Sequence, residues 1–385
     1  MSLRGKAHVA GAFEHPDRTI PDKSTAQVHL EVALGALADA GLSMSDVDAY
    51  FCAGDAPGGP LSMSEYLGLN NVRYVDSTET GGSSYFVHVG HAAAAIAAGK
   101  AQVALITMAG LPRSLRPWPR RSNGPEMGFE EPYGLSAPAV YGLAAQRHMY
   151  EYGTTSAQLA EVKVASSRHA SYNPHAFLQK QVTVDDVLAS PMVSNPLHRL
   201  DCCVTTDGGG ALVVVSPEIA RSLERSTVKL LGHGEAPKHT MNGRPDVTYS
   251  GAVWSGPRAF EEAGVTVADI DYASIYDSFT ITVLMTIEDL GFCAKGEGGR
   301  FVSEGGLWAP GGKLPVNSDG GGLSNNHPDF RGGMPKVVEA VRQLRGEAHP
   351  ALQVPNCDIA LAHGTGGGVS TRMGAATLIL GQEDA

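Results

Sequence analysis

The segment from Asp76 to Tyr85 carries the residues of this chain that are best placed to do chemistry. It reads Asp-Ser-Thr-Glu-Thr-Gly-Gly-Ser-Ser-Tyr, and an alanine-rich stretch follows it as far as Gly99. A glycine-containing turn that leads into a helix presents backbone N–H groups at the helix N-terminus, where negative charge is stabilised. Ser83 and Ser84 provide hydroxyl groups on this turn. A hydroxyl needs a neighbouring base before it attacks a carbonyl. The simpler interpretation is that both serines shape the turn and cap the helix.

Cysteine, the stronger nucleophile, is absent from this segment. The five cysteines of the chain are sparse and lack the spacing of a metal site; they are Cys52, Cys202, Cys203, Cys293 and Cys357. A bond between the adjacent Cys202 and Cys203 would be strained, so we expect reduced, packed thiols in a cytoplasmic protein. No metal site is predicted.

The charge and the hydropathy of the chain exclude several classes of partner. Its 385 residues carry a formal net charge of −11, which argues against nonspecific binding to nucleic acid or to an anionic membrane. No apolar run approaches the roughly 20 residues of a membrane span. The first residues lack the apolar region of a signal peptide. We expect a soluble globular protein.

Strand and helix patterns alternate along most of the chain. Strands are predicted at His8–Phe13, Ala49–Ala53, Ala101–Thr107, Gly208–Ser216, Val228–Gly232, Ala273–Tyr276, Ile359–His363 and Ala375–Leu380. Helices are predicted at Thr25–Ala40, Tyr141–Tyr152, Ser156–Tyr172, Ala252–Ala263, Phe279–Leu290 and Met334–Leu344. This alternation indicates an α/β fold with a doubly wound sheet that is covered on both faces. We expect two halves, residues 1–222 and 223–385, with an insertion at about 110–200 in the first.

Five parts of the chain, taken together, resemble the sterol-carrier-protein-x branch of the thiolase superfamily. They are the turn described above, Ala170–Pro174 with Asp201–Val213, Tyr276–Phe279 with Asp289–Gly299, Pro315–Pro328, and His363–Gly368. The resemblance covers nearly the whole chain. It implies a five-layer αβαβα fold with two pseudo-duplicated halves, and a site for acyl-CoA where the halves meet.

The two cysteines that the thiolase reaction uses are both missing. The resemblance places the nucleophile at Gly82, or at Ser83 with a shift of one residue. The second cysteine falls in the segment that begins with His363 and Gly364. His363 is a candidate replacement, because imidazole transfers protons near neutral pH, and a structurally satisfied histidine is the alternative. The resemblance makes Gly82 and Gly364 candidates for binding the substrate's oxyanion.

Other residues of the family's oxyanion site have counterparts in this chain. His327 matches the histidine of the family's Gly-His-Pro motif, which contributes to an oxyanion site, and Asn317 upstream also matches. Tyr276 stands where thiolases carry Asn or His. A phenol there can donate a hydrogen bond to a carbonyl oxygen or, as phenolate, accept a proton, although a core tyrosine is the alternative. Asp277 follows, with either a substrate-binding or a structural role.

A thiolase fold with neither cysteine and with tyrosine at this position resembles the steroid side-chain retro-aldolases of the same branch. The resemblance implies retro-aldol cleavage of a β-hydroxyacyl-CoA. Those aldolases place a second tyrosine near the position of His327, so the acid/base pair expected in this chain is Tyr276 and His327. It implies a homodimer and a small OB-fold partner protein of the DUF35 type. Coenzyme A enters as part of the substrate, and no cofactor is expected.

Four arginines of the insertion are candidates for contacts to CoA, because guanidinium groups suit phosphate; they are Arg113, Arg116, Arg120 and Arg121. A solvated loop or a subunit contact is the alternative there. Two other functions stay open for the chain as a whole. One is an acyltransferase resembling acetyl-CoA acetyltransferase, with Ser83 or Ser84 as nucleophile. The other is a noncatalytic scaffold that binds acyl-CoA or lipid.

Overall fold

A computed structural model describes residues 2–115, 124–134, 136–239, 245–328 and 331–383. The strands in these ranges are β1 (His8–Glu14), β2 (Ala49–Cys52), β3 (Tyr74–Asp76), β4 (Val103–Gly110), β5 (Met192–Ser194), β6 (Leu197–His198), β7 (Gly208–Val215), β8 (Val228–Lys238), β9 (Tyr272–Ile275), β10 (Ile359–Gly368) and β11 (Thr371–Gly381). The α-helices are α1 (Thr25–Ala40), α2 (Gly59–Tyr66), α3 (Ser84–Ala97), α4 (Met127–Glu130), α5 (Ala137–Tyr152), α6 (Ser156–Ala170), α7 (Val184–Ala189), α8 (Pro217–Ala220), α9 (Ala252–Ala263), α10 (Thr280–Asp289), α11 (Gly298–Val302) and α12 (Met334–Leu344).

Nine of the strands form one mixed sheet in the order β3-β2-β4-β7-β1-β8-β11-β10-β9. Strand β1 pairs with β7 along its length and with β8 only through His8 and Val9, antiparallel in both cases. The strands that precede residue 222 therefore lie on one side of the β1–β8 junction, and β8 to β11 lie on the other. At the far edge, β9 runs parallel to β10. The carboxyl ends of these two strands thus lie side by side, and Tyr276 follows the edge strand directly.

The helices and the two halves of the sheet form five layers, which are held together by three hydrophobic cores. Helices α1 and α2 cover the outer face of the first half of the sheet, and α9 and α10 cover the outer face of the second. Helices α3 and α12 lie between the two halves and bury apolar side chains against both. This arrangement confirms the predicted αβαβα fold class. None of the helices in the described ranges combines the length and the apolar character that a bilayer crossing requires.

Helix α6, in the insertion, positions the loop that leads to His327. The Nζ of Lys163 donates to the carbonyl oxygen of Leu323 at 2.6 Å and to the hydroxyl of Ser324 at 2.8 Å. Ser166 donates to the carbonyl oxygen of Gly320 at 2.7 Å. Burial lowers the pKa of Lys163 to about 8, so its ammonium group depends on these acceptors. The insertion therefore fixes the segment just before the candidate site.

Candidate active site

Tyr276 and His327 are brought together from positions 51 residues apart in the sequence. The phenol oxygen of Tyr276 lies 2.9 Å from Nε2 of His327. Both side chains are largely buried, with 6% and 7% of their surface exposed. The backbone N–H of Tyr276 donates to the carbonyl oxygen of His363 at 2.9 Å, which continues the pairing of β9 with β10. A phenol and an imidazole in direct hydrogen-bond contact can exchange a proton, so this pair has the geometry of an acid/base site.

The loop around His327 is held by a buried polar network. The backbone N–H of His327 donates to the hydroxyl of Thr206 at 2.9 Å, and that hydroxyl donates to Oδ1 of Asn326 at 2.8 Å. The amide group of Asn326 donates to Glu14 at 2.8 Å, and Arg18 pairs with the same carboxylate at 2.8 Å. Burial would raise the pKa of Glu14, but the positive charges of Arg18 and Arg342 hold it below its ordinary value. Sequence reasoning missed this network, because nothing in the spacing of its members joins them.

The ring of Tyr276 occupies the space beside Gly82. A β-carbon at position 82 would lie 2.5 Å from Cε2 of Tyr276 and 2.4 Å from the carbonyl oxygen of Thr365. Real β-carbons do not approach other atoms so closely, so no side chain fits there while the phenol stays in place. The ring of Tyr276 therefore occupies the space into which a side chain at position 82 would project.

The two serines of this turn are bound to the turn itself. Ser83 donates to the carbonyl oxygen of Thr80 at 2.8 Å, and Ser84 donates to that of Gly81 at 2.8 Å. The hydroxyl of Ser84 also accepts a hydrogen bond from the N–H of Thr80 at 2.9 Å. Both side chains are completely buried. These contacts fit the interpretation that the serines shape the turn, whereas Ser83, at the N-cap of α3, makes no side-chain capping hydrogen bond. They leave neither hydroxyl presented to a substrate.

The structure does not bring the side chain of His363 to the Tyr276–His327 pair. Its Nδ1 lies 2.8 Å from the hydroxyl of Thr377, which in turn contacts Ser255 of helix α9 on the outer face of the sheet. Burial lowers the pKa of His363 to about 3, so the imidazole is neutral and shielded. The prediction that His363 relays a proton is corrected on this ground, because alternate residues of a strand face opposite sides of the sheet.

Gly364 faces the other way, toward the central layer. A β-carbon there would lie 2.3 Å from Cε2 of Phe86 in helix α3. Glycine at this position therefore accommodates a packed ring. The predicted oxyanion role of Gly364 is not reflected in its surroundings.

Asn317 and Asp277 position the site through the backbone. The side-chain amide of Asn317 accepts from the N–H of Ile275 and donates to its carbonyl oxygen, each at 2.8 Å. Asp277 accepts from the N–H of Gly322 at 2.8 Å and lies 2.9 Å from Nζ of Lys336. The polar atoms of both side chains make these contacts, which fix the backbone around Tyr276. For Asp277, the structural role of the two predicted ones fits these contacts. The predicted oxyanion role of Asn317 is not reflected in its contacts.

Comparisons with known proteins identify the family. Residues 234–382 match the family model "Thiolase C-terminal domain-like". The chain is 33% identical to an acetyl-CoA acetyltransferase of Methanothermobacter thermautotrophicus, over 90% of this chain and 92% of the relative. It is 34% identical to a 17-hydroxy-3-oxo-4-pregnene-20-carboxyl-CoA lyase of Mycobacterium tuberculosis, over 89% and 92% of the two chains. The chain belongs to the thiolase superfamily. The predicted sterol-carrier-protein-x branch is confirmed as well.

A solved structure in this superfamily matches almost the whole chain. It is described as an "Ltp2-ChsH2(DUF35) aldolase" and superimposes with a TM-score of 0.90 at 32% identity, over 99% of both chains. The relatives thus include one named as an acetyltransferase, and others named as a lyase or an aldolase. Family membership alone does not choose between these reactions, so the choice depends on the site.

One of the four candidate CoA-binding arginines, Arg113, lies in the part of the chain that the structure describes. Arg113 lies with its guanidinium carbon 4.4 Å from the centre of the Phe177 ring, and its Nε donates to the hydroxyl of Thr19 at 3.1 Å. Arg116, Arg120 and Arg121 lie outside the described residues. The backbone N–H of Phe177 donates to the carbonyl oxygen of Asn325. Arg113 therefore packs beside the loop that carries His327.

An ion pair that sequence reasoning missed lies beside the thiolase-like turn. The guanidinium group of Arg331 donates to Oε2 of Glu79 from Nε at 2.9 Å and from its terminal nitrogen at 2.7 Å. The other carboxylate oxygen of Glu79 accepts from the N–H of Gly81 at 2.8 Å. The available signal was the position of Glu79 just before the two glycines. Across the described ranges, no group of three or more His, Cys, Asp and Glu side chains is placed to hold a metal ion.

Proposed function

We propose that this thiolase-superfamily protein is a C–C lyase that cleaves a β-hydroxyacyl-CoA by a retro-aldol reaction. The observation that carries the proposal is the position of Tyr276. Its ring fills the space beside Gly82, and its hydroxyl contacts His327 at 2.9 Å. The turn therefore offers no covalent nucleophile, while an acid/base pair stands next to it. Such a site supports proton transfer and enolate stabilisation without an acyl-enzyme.

The reaction begins with removal of the proton from the β-hydroxyl group of the substrate. The Tyr276 oxygen takes this proton as its own proton moves to Nε2 of His327. The Cα–Cβ bond then breaks, the β-carbon becomes the carbonyl carbon of a ketone or aldehyde, and the electron pair forms the enolate of the thioester. Return of a proton from the pair to Cα gives the shortened acyl-CoA. No redox change occurs, and the atoms balance.

The start of helix α3 supports the enolate in this scheme. The turn at Gly82 leads directly into α3 (Ser84–Ala97), and a helix N-terminus stabilises negative charge. A backbone N–H at Gly82 is the proposed donor to the thioester oxygen. Because the donor belongs to the backbone, loss of the cysteine side chain leaves this part of the machinery in place.

The acyltransferase alternative requires a hydroxyl nucleophile at the turn. Ser83 and Ser84 are completely buried and donate to carbonyl oxygens of the turn. The hydroxyl of Ser84 also lies 3.4 Å from Oε1 of Glu79, but that carboxylate pairs with Arg331 and its pKa is held below the ordinary value, so it is a poor base for activating a serine. A noncatalytic scaffold does not account for the buried hydrogen bond between Tyr276 and His327. Both alternatives are therefore weaker than the lyase.

The proposed substrate class is a steroid whose side chain ends in a CoA thioester. The lyase from Mycobacterium tuberculosis is named for 17-hydroxy-3-oxo-4-pregnene-20-carboxyl-CoA, in which the 17-hydroxyl lies β to the thioester. Retro-aldol cleavage of that compound gives a 17-ketosteroid and propionyl-CoA. We adopt this compound as the probe for the present chain.

We also propose a small OB-fold partner of the DUF35 type, a homodimer and a cytoplasmic location. The first is supported by the printed description of the similar aldolase structure. Strand β3 ends the sheet with only β2 beside it, and such an edge can pair with a second copy. All five cysteines are free thiols, which suits a reducing compartment.

The experiment that tests the proposed function is a product analysis by mass spectrometry. The purified chain, alone and together with a co-expressed DUF35-type protein, is incubated with 17-hydroxy-3-oxo-4-pregnene-20-carboxyl-CoA. We expect equal amounts of 17-ketosteroid and propionyl-CoA, with the protein mass unchanged. A stable acyl adduct on the protein would instead establish an acyltransferase. Saturable binding without cleavage in both incubations would establish a scaffold.

A further inference from the structure

We infer that Glu79 and Arg331 are positioning residues that set the contact between Tyr276 and His327; this inference rests on the proposed lyase function. Neither side chain belongs to the acid/base pair. Their ion pair joins the two backbone segments against which Tyr276 and His327 are packed. The ion pair is therefore placed to govern the distance across which the proton moves.

Glu79 holds the first segment, the turn beside Tyr276. One of its carboxylate oxygens accepts from the N–H of Gly81 at 2.8 Å, and the other accepts from the N–H of Gly54 at 2.8 Å. The next residue after Gly81 is Gly82, whose missing side chain makes room for the phenol ring. A shift of this turn therefore moves the surface on which Tyr276 rests.

Arg331 holds the second segment, which contacts both His327 and the turn. A β-carbon at Gly332 would lie 2.8 Å from Cδ2 of His327. A β-carbon at Gly333 would lie 2.0 Å from the carbonyl oxygen of Gly82. The backbone that follows Arg331 therefore lies directly against the imidazole and against the turn. Because close-packed groups transmit displacements, the position of Arg331 is coupled to both members of the pair.

Burial and charge make the Glu79–Arg331 ion pair costly to break. Arg331 is 8% exposed, and its Nε also lies 3.9 Å from the buried carboxylate of Asp55. Burial would lower the pKa of Arg331, but its hydrogen bonds and charge interaction with Glu79 raise it above its ordinary value. Burial would likewise raise the pKa of Glu79, but Arg331 holds it below its ordinary value. Removal of Glu79 leaves the buried guanidinium group of Arg331 with weaker compensation, so the segments separate or rearrange.

The expected signature is a loss in kcat with little change in KM. A misplacement of about 1 Å costs on the order of 100-fold in rate when reacting groups must be aligned. We expect Glu79→Gln to lower kcat about tenfold and Glu79→Ala about 100-fold, with KM for the steroid-CoA probe within about threefold of the parent. In a Tyr276→Phe background, Glu79→Gln is expected to lower kcat no further, because the contact that it positions is already lost.

Asp39→Asn is the matched control. Asp39 also accepts a backbone N–H, that of Ala12 at 2.9 Å, and pairs with the guanidinium group of Arg345 at 2.8 Å. The side chain of Arg345 is 3% exposed, and that of Asp39 is 18% exposed against 39% for Glu79. Asp39 also pairs with Arg225 at 2.7 Å, so its charge interactions are at least as strong as those of Glu79. Asp39 belongs to helix α1, on the outer face of the sheet. We expect Asp39→Asn to reduce the free energy of unfolding at least as much as Glu79→Gln does, with kcat unchanged.

The test measures kcat, KM and urea unfolding for these variants, together with crystal structures of the parent and Glu79→Ala. We expect the Tyr276–His327 separation in the variant to exceed the 2.9 Å of the parent. A parent-like kcat in Glu79→Gln, or an equal kcat loss in Asp39→Asn, overturns the inference. The proposed function fails separately, when the parent itself does not cleave the probe. In that case an unchanged Tyr276–His327 separation in Glu79→Ala overturns the inference as well, and a lengthened one upholds the positioning role.

Discussion

Gly82 and Tyr276 fit together as a complementary pair: the ring of Tyr276 stands 2.5 Å from where a β-carbon of residue 82 would be. The phenol of Tyr276 fits at this place because residue 82 has no side chain. In a thiolase-like site the turn at this position would supply a thiolate. Here the same volume holds the phenol of Tyr276, the group that we propose for acid/base chemistry, in contact with His327. The proposed acid/base chemistry therefore depends on the absence of a side chain at position 82.

Gly82→Cys is expected to destabilise the protein without making it a thiolase. The new side chain collides with the Tyr276 ring, and overpacking of this kind costs about 1–3 kcal/mol. Adding Tyr276→Ala removes the collision with the ring but not the contact with the carbonyl oxygen of Thr365 at 2.4 Å. The double variant should therefore recover part of the lost stability and be more stable than the sum of the single effects predicts. Urea unfolding of the four proteins measures this coupling.

Gly128→Cys is the control, because a β-carbon at Gly128 meets nothing within 4 Å. We expect it to leave the free energy of unfolding within about 0.5 kcal/mol of the parent. Parent-like stability of Gly82→Cys, with an acyl adduct on its new thiol, would contradict the packing argument.

The serines of the turn are expected to matter for stability and not for catalysis. Ser83→Ala removes a buried hydrogen bond to the carbonyl oxygen of Thr80, at a cost of about 1 kcal/mol. Cleavage of the steroid-CoA probe should remain within a few-fold of the parent for Ser83→Ala and Ser84→Ala. Intact-mass spectrometry with acetyl-CoA should show no adduct in any of these proteins. An adduct in the parent that disappears in either variant would support the acyltransferase.

His327→Asn is expected to lower kcat by about 100-fold or more, in the range typical of a lost acid/base group. The substituent is too short to reach the phenol oxygen. Binding of the CoA thioester depends on other contacts, so KM should change little. His349→Asn, at an exposed histidine, is the control and should leave kcat unchanged. A parent-like kcat in His327→Asn would mean that the 2.9 Å contact is structural only.

Buried histidines are expected to make the fold sensitive to acid. Burial lowers the pKa of His363 to about 3 and those of His88 and His169 to about 4. The unfolded chain, with histidine pKa values near 6.5, then binds more protons than the folded one. Each histidine's contribution to stability is complete above about pH 6.5 and falls by about 1.4 kcal/mol per pH unit below it, down to the folded pKa.

His363→Asn should therefore flatten the pH dependence of unfolding between about pH 6 and pH 4.5. Urea unfolding at several pH values measures the slope. His175→Asn, at an exposed position, should leave the slope as it is in the parent. An unchanged slope in His363→Asn would show that this imidazole is not held neutral in the fold.

Much of the fold was predictable from the sequence because its elements are strongly patterned. Helices α1, α9 and α12 begin and end at the predicted residues. The predicted closing strand stopped at His363, whereas β10 continues to Gly368. Most of the added residues are glycines, which pair with β11 and leave room for Phe86 of α3 and for the turn at residues 80–82. Tertiary packing there outweighs the low strand propensity of glycine.

The site was predictable in part, and for a physical reason. Tyr276 and His327 could be singled out because each occupies a place with a known role in a resembling family. The orientation of His363 depends on which face of the sheet it occupies, and a shift of one residue reverses that choice. The Glu79–Arg331 ion pair joins positions 252 residues apart, so only the three-dimensional structure brings it into view.

The most direct test of the account is kcat of Tyr276→Phe for 17-hydroxy-3-oxo-4-pregnene-20-carboxyl-CoA. The substitution removes one oxygen and keeps the ring that packs against Gly82, so the fold and KM should be preserved. We predict that kcat falls by about 100-fold to 10,000-fold, as expected for loss of an acid/base group, with no acyl adduct on the protein. Parent-like release of 17-ketosteroid and propionyl-CoA by Tyr276→Phe would contradict the account.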